Sequence, residues 1–184
     1  RAQMMPGMKV TESLKPVSIR KQGDKQILDI GQNMAGWLRI RIKGQAGDSI
    51  RLRFAERLQP DGEIFTKNLR DAHCTDIYVV SGREPQDATW APRFVYHGFR
   101  YVEISGYPNA KTEDFTAEVV DDEMAHTGTF TCSDETLNQV LRNAFWGIRS
   151  NYKGMPVDCP QRNERQPWLG DHAMGSWGES LFFN

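Results

Sequence analysis

Apolar and polar residues alternate in short runs over the first 130 residues of the chain. In residues 38–43 (LRIRIK) and 50–54 (IRLRF), each aliphatic or aromatic side chain is separated from the next by Arg or Lys. A period of two places the apolar side chains on one face of an extended strand and the basic groups on the other. Similar runs predict strands at Ile77–Val80, Phe94–Tyr96, Tyr101–Ser105 and Phe115–Val120. Glycine- and proline-containing turns separate the runs, so residues 1–130 are predicted to form an antiparallel β-sandwich.

After residue 130 the spacing of the apolar residues changes to that of an α-helix. Ser133 is predicted to cap this helix, with Asp134 and Glu135 in the first turn, where the helix dipole favours negative charge. Gly154 and Pro156 are predicted to end it. Residues 131–184 are therefore expected to form a separate, helical unit. The predicted apolar face carries Leu137, Val140, Leu141, Ala144, Phe145 and Ile148.

A second helix is predicted to begin near Asp171, after an irregular loop. Met174, Trp177 and Leu181 fall on one face of it. The sequence offers neither a C-cap nor a partner for the aromatic residues of Leu181–Asn184. Because a helix end as apolar as this must pack on something beyond the chain, the sequence is expected to stop inside a domain.

The charge balance and hydropathy exclude two classes of partner. With 23 basic and 24 acidic residues, the chain of 184 residues has a formal net charge of −1 and offers no basic stripe for a phosphate backbone. Nucleic acid is therefore not an expected partner. No run approaches the ~18 consecutive apolar residues of a membrane span. The start, RAQMMPGMKV, lacks the apolar segment of a signal peptide, so neither a membrane contact nor a signal peptide is predicted.

Cysteines and acidic clusters do not indicate a metal site. Cys74, Cys132 and Cys159 lie far apart, without the spacing of a disulfide framework or a zinc site. They are interpreted as reduced, packed thiols. Asp121–Glu123 lacks the ligand spacing of a calcium loop and is interpreted as a solvated acidic turn. No metal and no cofactor is predicted.

Three carboxylates lie close together between the two predicted helices: Asp158, Glu164 and Asp171. Hydrolysis of a glycosidic bond uses two carboxyl groups, one protonated to donate to the leaving oxygen and one ionised to activate water or attack the sugar. Carboxyl groups that lie close together suit these two roles, because repulsion between their like charges raises the pKa of one of them. Trp168 offers an apolar face for a sugar ring, and Arg162 can hydrogen-bond its hydroxyls. The loop is a candidate acid site for sugar cleavage, although a solvated loop held by Arg–Asp pairs has the same composition.

Residues 158–171 (DCPQRNERQPWLGD) closely resemble the DCPxR-E-R-xxW-xxD segment of the bacterial α-L-rhamnosidases of glycoside hydrolase family 78. Residues 28–44 (LDIGQNMAGWLRIRIKG), 53–82 and 93–108 (RFVYHGFRYVEISGYP) resemble stretches that precede this segment in the family, in the same order. The resemblance implies a concanavalin-like β-sandwich over residues 1–130. It implies that residues 131–184 are the first helices and active-site loop of an incomplete (α/α)6 catalytic barrel.

The resemblance also implies an activity, the hydrolysis of terminal, non-reducing α-L-rhamnosyl bonds with inversion. Glu164 matches the general acid of the family, and Asp158, Arg162, Trp168 and Asp171 match positions that line the rhamnose pocket. The general base is a glutamate far downstream in the family, so the chain alone is expected to be inactive. The implied partners are a rhamnose-containing glycoside and the remainder of the barrel, and no cofactor is implied. For a bacterial protein, both cytoplasm and periplasm stay open.

The chain departs from the family pattern at Gln166–Pro167, where relatives usually have a small, flexible pair. Proline fixes its own φ and restricts the preceding residue, so a different loop geometry is expected there. Two other functions also stay open. A non-catalytic module could bind a glycan or brace a neighbouring domain, and rhamnose affinity that survives deletion of residues 131–184 would favour it. A related hydrolase could act on another sugar, because pocket shape sets specificity.

Overall fold

The computed structural model describes residues 7–183, so the first six residues, on which the expectation about a signal peptide partly rests, lie outside the described residues. The described part of the chain contains strands followed by two helices. No helix in it is both long and apolar enough to cross a bilayer. The elements are β1 (Met8–Leu14), β2 (Ser18–Gln22), β3 (Lys25–Arg41), β4 (Ser49–Ala55), β5 (Arg57–Leu58), β6 (Ile64–Phe65), β7 (Thr75–Val79), β8 (Thr89–Trp90), β9 (His97–Ser105), β10 (Phe115–Asp122), α1 (Glu135–Asn151) and α2 (Leu169–Glu179).

One antiparallel sheet contains eight of these strands, in the order β1-β10-β3-β9-β4-β7, with β2 and β8 also paired to β3. The long strand β3 lies between β10 and β9 in this sheet. Its residues Gln26–Asp29 pair with β9, and its residues Gly36–Ile40 pair with β10. The pairing with β9 shifts register between Asp29 and Met34, where a bulge bends the strand. The prediction of a mainly antiparallel β structure is confirmed, and its strands curl as one sheet, consistent with a sandwich.

Alternating side chains from β3 and β4 build the core inside this curled sheet. Leu38, Ile40, Ile50, Leu52 and Phe54 are all buried, as their period of two predicts. The basic residues between them stay exposed or half-buried. Each fully buried side chain of this size contributes about 1.5–3 kcal/mol of hydrophobic stabilisation, so the alternation determines which face of the sheet turns inward.

The predicted strand at Phe94–Tyr96 is wrong. These residues form an irregular segment, and β9 begins only at His97. Phe94 has a φ of 60° and a fully exposed side chain, and a positive φ is incompatible with an extended strand. The apolar pair Phe94 and Tyr96 imitates the period of a strand although Phe94 does not reach the core.

The acidic stretch Asp121–Glu123 is not the predicted solvated turn. Asp121 and Asp122 end β10 and are buried. Asp121 accepts a hydrogen bond from Arg149 of α1 at 2.5 Å, and both carboxylate oxygens of Asp122 accept from the Gly154 N–H. Their negative charge therefore joins the sheet to the helical part of the chain.

The first helix begins one residue later than expected. Asp134, rather than Ser133, is the N-cap, and its carboxylate accepts from the backbone N–H groups of Thr136 and Leu137 at 2.8 and 3.2 Å. A carboxylate at this position also interacts favourably with the helix dipole. The predicted apolar face is only partly buried, with Leu137 more than half exposed, because the buried positions of α1 are Asn138 and Arg149.

The second helix begins at Leu169, and its predicted apolar face is exposed. Met174 and Trp177 are 88% and 85% exposed. The expectation that the terminal aromatics lack a partner is wrong for Phe183, which stacks on Phe145 with ring centroids 5.1 Å apart and lies edge-on to His126. That these two helices open an (α/α)6 barrel stays a prediction.

Candidate functional site

Residues 158–168, called the carboxylate loop below, connect the two helices and lie against the sheet. Gly98 of β9 allows this close approach, because a Cβ there would lie 2.9 Å from the Cβ of Gln161 and 3.0 Å from its backbone N. The Cys74 thiol donates to the Gln161 carbonyl at 3.0 Å. A side chain at position 98 would push the loop off the sheet, so the sheet determines where the loop lies.

Arg165 fastens the same loop from its other end. Its guanidinium lies 4.0 Å from the ring centroid of Tyr96 and donates to the carbonyls of Tyr96 and Pro160 at 2.8 and 2.9 Å. Arg165 itself has a φ of 51°. The second arginine of the motif thus holds the loop together, while Arg162 contacts the carboxylates.

Glu164 is the centre of the polar contacts in the loop. Its Oε2 accepts from Arg162 at 2.7 Å and pairs with Arg70 at 3.0 Å. Its Oε1 accepts a longer hydrogen bond, 3.3 Å, from the indole N–H of Trp168. Both arginines therefore contact the same oxygen of Glu164. The side chain of Glu164 is about one-fifth exposed. The other oxygen has weaker contacts among the described residues.

Asp158 is held as a carboxylate by donors around it. The backbone N–H of Gln166 donates to it at 2.6 Å and the Cys159 thiol at 2.9 Å, and Arg162 lies 3.8 Å away. Burial raises the pKa of Asp158, but these hydrogen bonds and the charge of Arg162 outweigh it and leave the pKa below its ordinary value. Gln166, at the departure from the family pattern, thus supplies one of the donors.

An open cleft of about 270 Å³ lies beside the loop. Asp158, Trp168 and Asp171 line it, together with Tyr152 and His172. Trp168 is 52% exposed, so part of its indole is free to meet a ligand. The Tyr152 hydroxyl and His172 Nδ1 both reach one oxygen of Glu179, at 2.6 and 3.4 Å, which fixes the opposite wall.

Four of the five predicted site residues form a continuous chain of contacts, from Asp158 through Arg162 and Glu164 to Trp168. Asp171 lies in the first turn of α2 and lines the same cleft. It has no hydrogen bond to the other four within residues 7–183. Asp158, Trp168 and Asp171 therefore line one cleft, whereas Arg162 and Glu164 join this group through their contacts with Asp158 and Trp168.

Sequence reasoning missed two residues of the β-rich part of the chain that touch this site. Arg70 pairs with Glu164, and Asp71 accepts a hydrogen bond from the Asn163 side chain. The two partners of the second contact are 92 residues apart in the chain. No periodicity or motif spacing connects such distant positions, so only the tertiary fold could reveal them.

The sulfur of Cys159 and carboxylate oxygens of Asp158 and Glu164 lie within 4.8 Å of one another, a spacing that a metal ion could bridge. The donor set does not fit a cation. Burial and the hydrogen bond to Asp158 raise the pKa of the Cys159 thiol, and metal binding requires the thiolate. Two guanidinium groups already neutralise Glu164. A protonated thiol donating to a carboxylate explains the cluster without a metal.

Two family profiles match the chain. The bacterial alpha-L-rhamnosidase concanavalin-like domain matches residues 19–121, and the bacterial alpha-L-rhamnosidase 6 hairpin glycosidase domain matches residues 125–184. Curated relatives include an alpha-L-rhamnosidase of Streptomyces avermitilis, 42% identical over 171 residues and 92% of this chain, and one of Formosa agariphila, 40% identical over 166 residues and 89% of this chain. The match spans 16% and 18% of these two relatives, so the chain corresponds to less than a fifth of each.

Solved structures agree with the sequence comparisons. The alpha-L-rhamnosidase of Dictyoglumus thermophilum superimposes with a TM-score of 0.94 at 36% identity, over 100% of this chain and 21% of that one. The Streptomyces avermitilis alpha-L-rhamnosidase complexed with L-rhamnose also has a TM-score of 0.94, at 37% identity, over 99% of this chain and 18% of that one. The resemblance found in the sequence motifs is confirmed.

Proposed function

Because this chain belongs to the bacterial α-L-rhamnosidase family, we propose that the protein containing it hydrolyses terminal, non-reducing α-L-rhamnosyl bonds with inversion. The observation that carries the proposal is the contact chain from Asp158 to Trp168 at the edge of an open cleft. It combines an ionised carboxylate at Asp158, the carboxyl group of Glu164 with two arginines on one oxygen, and an aromatic face. A solvated loop with surface ion pairs would not require a carboxylate and a half-exposed indole from this contact chain to line one cleft.

Glu164 is the proposed general acid. Its two oxygens differ, since Arg70 and Arg162 both contact Oε2 whereas, within residues 7–183, Oε1 accepts only the long bond from Trp168. When Oε1 carries a proton, Arg70 and Arg162 can both still contact Oε2. Oε1 then donates to the glycosidic oxygen as the bond to the sugar breaks, and the arginines stabilise the carboxylate that remains.

The sugar itself is proposed to lie against Trp168, Asp158 and Asp171. The exposed part of the indole can cover the C–H face of the ring, and the ionised Asp158 accepts hydrogen bonds from hydroxyls. Asp171 is exposed and free to do the same from the start of α2. Arg162 contacts both carboxylates, since its Nη2 lies 3.8 Å from Asp158 and 2.7 Å from Glu164.

Inversion needs a second carboxylate that activates a water, roughly 6.5–9.5 Å from the acid. We assign this base to a part of the protein outside residues 1–184, because Asp158 is engaged by three donors and is proposed to bind the sugar. The division into a sandwich, residues 1–130, and the opening of a catalytic barrel, residues 131–184, belongs to the same proposal. The chain alone is then expected to show no turnover.

The test is Glu164→Gln in the full-length protein, assayed on 4-nitrophenyl α-L-rhamnoside and on methyl α-L-rhamnoside. Loss of a general acid costs about 10²–10⁴-fold in rate. The loss should be larger on the methyl glycoside, because its poor leaving group depends more on protonation. Glu113→Gln, the same change at an exposed glutamate that does not line the cleft, serves as the control. Unchanged turnover of methyl α-L-rhamnoside by Glu164→Gln would refute the proposal.

A further inference from the structure

A β-turn of the sandwich, Leu69–Ala72, reaches the carboxylate loop. The Ala72 N–H donates to the Leu69 carbonyl at 3.1 Å and closes the turn. Leu69 is buried, and the neighbouring Asn68 donates to Glu56 at 3.1 Å, so the turn is anchored to the sheet. The turn presents the side chains of Arg70 and Asp71 next to each other.

Arg70 has a backbone conformation that suits glycine. Its φ and ψ are 57° and −122°, the values of the first central residue of a type II′ turn. Glycine dominates that position because a Cβ is strained at positive φ. Arginine therefore brings no advantage to the turn itself. A strained residue beside a candidate active site indicates a role for its side chain.

The guanidinium of Arg70 ends 3.0 Å from Oε2 of Glu164. Asp71 accepts a hydrogen bond from Asn163, the residue before Glu164. The turn thus contacts two consecutive residues of the carboxylate loop, one through each of its central side chains. These contacts hold the backbone at Asn163 and occupy one oxygen of Glu164, which leaves Oε1 for the substrate.

We infer that Arg70 is a positioning residue contributed by the sandwich to the catalytic carboxyl group. The inference rests on the proposed function of Glu164. Arg70 orients the Glu164 carboxyl so that Oε1 faces the leaving group, and it stabilises the carboxylate after proton donation. Among the described residues, the charged and titratable groups around Glu164 are Arg70 from the turn and Asp158, Cys159 and Arg162 from the loop.

Two properties of the reaction should change when Arg70 is replaced by glycine. Misplacement of the acid should lower kcat on methyl α-L-rhamnoside about tenfold, with a smaller loss on 4-nitrophenyl α-L-rhamnoside and little change in KM. The alkaline limb of the kcat profile should move up by about half a pH unit, because the ionised acid loses one exposed cation. Arg70→Lys should keep the limb near its original position.

The same variant distinguishes positioning from a structural role. Glycine suits the turn, so Arg70→Gly should have a Tm within about 2 °C of the wild type, because relief of strain offsets the added freedom of the unfolded chain. Lys67→Gln removes a nearby exposed cation from the preceding 3-10 turn and is the matched control. It should leave kcat, KM and the pH profile unchanged.

All measurements use the full-length protein, with Glu164→Gln assayed in parallel. Equal losses of Arg70→Gly on both glycosides, or an unshifted alkaline limb, would overturn the role of Arg70 while Glu164→Gln still supports the acid. Full activity of Glu164→Gln on methyl α-L-rhamnoside would instead overturn the proposed function itself. A selective loss on the methyl glycoside, with the limb shifted and Tm preserved, would support Arg70 as the positioning residue.

Discussion

Replacement of Arg149 by Met should weaken the attachment of α1 to the sheet and lower the stability of the chain. Arg149 lies on α1, is only 7% exposed, and contacts three side chains on β1 and β10. Its Nε contacts Asp121 of β10 at 2.5 Å, and its other nitrogens reach Glu12 at 2.5 Å and Thr11 at 2.8 Å. Met has a similar length but no charge, so the substitution leaves Asp121 buried without this partner.

The expected loss follows from the burial of the pair. Removal of one partner of a buried ion pair costs about 3–5 kcal/mol, because the remaining charge is left without compensation. Lys153 also lies near Asp121 and stabilises its charge in part, so we expect about 3 kcal/mol, the lower end of that range. For a chain of this size the loss corresponds to a fall in Tm of roughly 6–12 °C. Glu12 is 41% exposed and should contribute under about 1 kcal/mol.

Thermal unfolding followed by circular dichroism measures this effect. Arg142→Met is the matched control, because Arg142 is an exposed arginine of the same helix whose hydrogen bonds go to Gln139. The double variant Asp121→Asn with Arg149→Met should recover part of the lost stability, because no unpaired charge is then left buried. Equal Tm values for Arg149→Met and Arg142→Met, or strictly additive effects in the double variant, would refute the reasoning.

Two further predictions concern the same region. Burial lowers the pKa of Lys153 to about 8, against the attraction of Asp121 and Asp122, whereas the unfolded chain keeps this proton up to a pKa of about 10.4. Unfolding therefore takes up a proton between these values, and the stability that Lys153 contributes rises with pH across that window. Lys153→Met should accordingly lose Tm relative to the wild type between about pH 7.5 and pH 9.5, and a constant Tm difference would contradict this. In a urea titration, Asp134→Ala should lower the free energy of unfolding by about 1 kcal/mol, because the N-cap is lost. Ser133→Ala should change it by almost nothing. A larger loss for Ser133→Ala than for Asp134→Ala would identify Ser133 as the cap.

Local patterns in the sequence determined the strands and the order of the elements. The alternation in residues 38–43 and 50–54 was sufficient because a side chain on a strand either faces the core or does not. The same rule failed at Phe94–Tyr96, where backbone conformation rather than hydropathy excludes a strand. It also gave the wrong environment for Asp121, since burial of a carboxylate depends on a partner that lies on another element.

The motif of residues 158–171 was likewise sufficient to place Asp158, Arg162, Glu164 and Trp168 together, because residues so close in the chain must share one loop. Which oxygen of Glu164 is paired, and by which cations, depended on the tertiary structure. Arg70 comes from a turn of the sandwich, and its approach requires the loop to rest on Gly98. Sequence alone thus determined the residues of the motif and their family, while long-range packing determined the geometry and charge around the carboxyl group. The physical reason is that contacts between distant segments form only when the chain folds, and no local spacing encodes them.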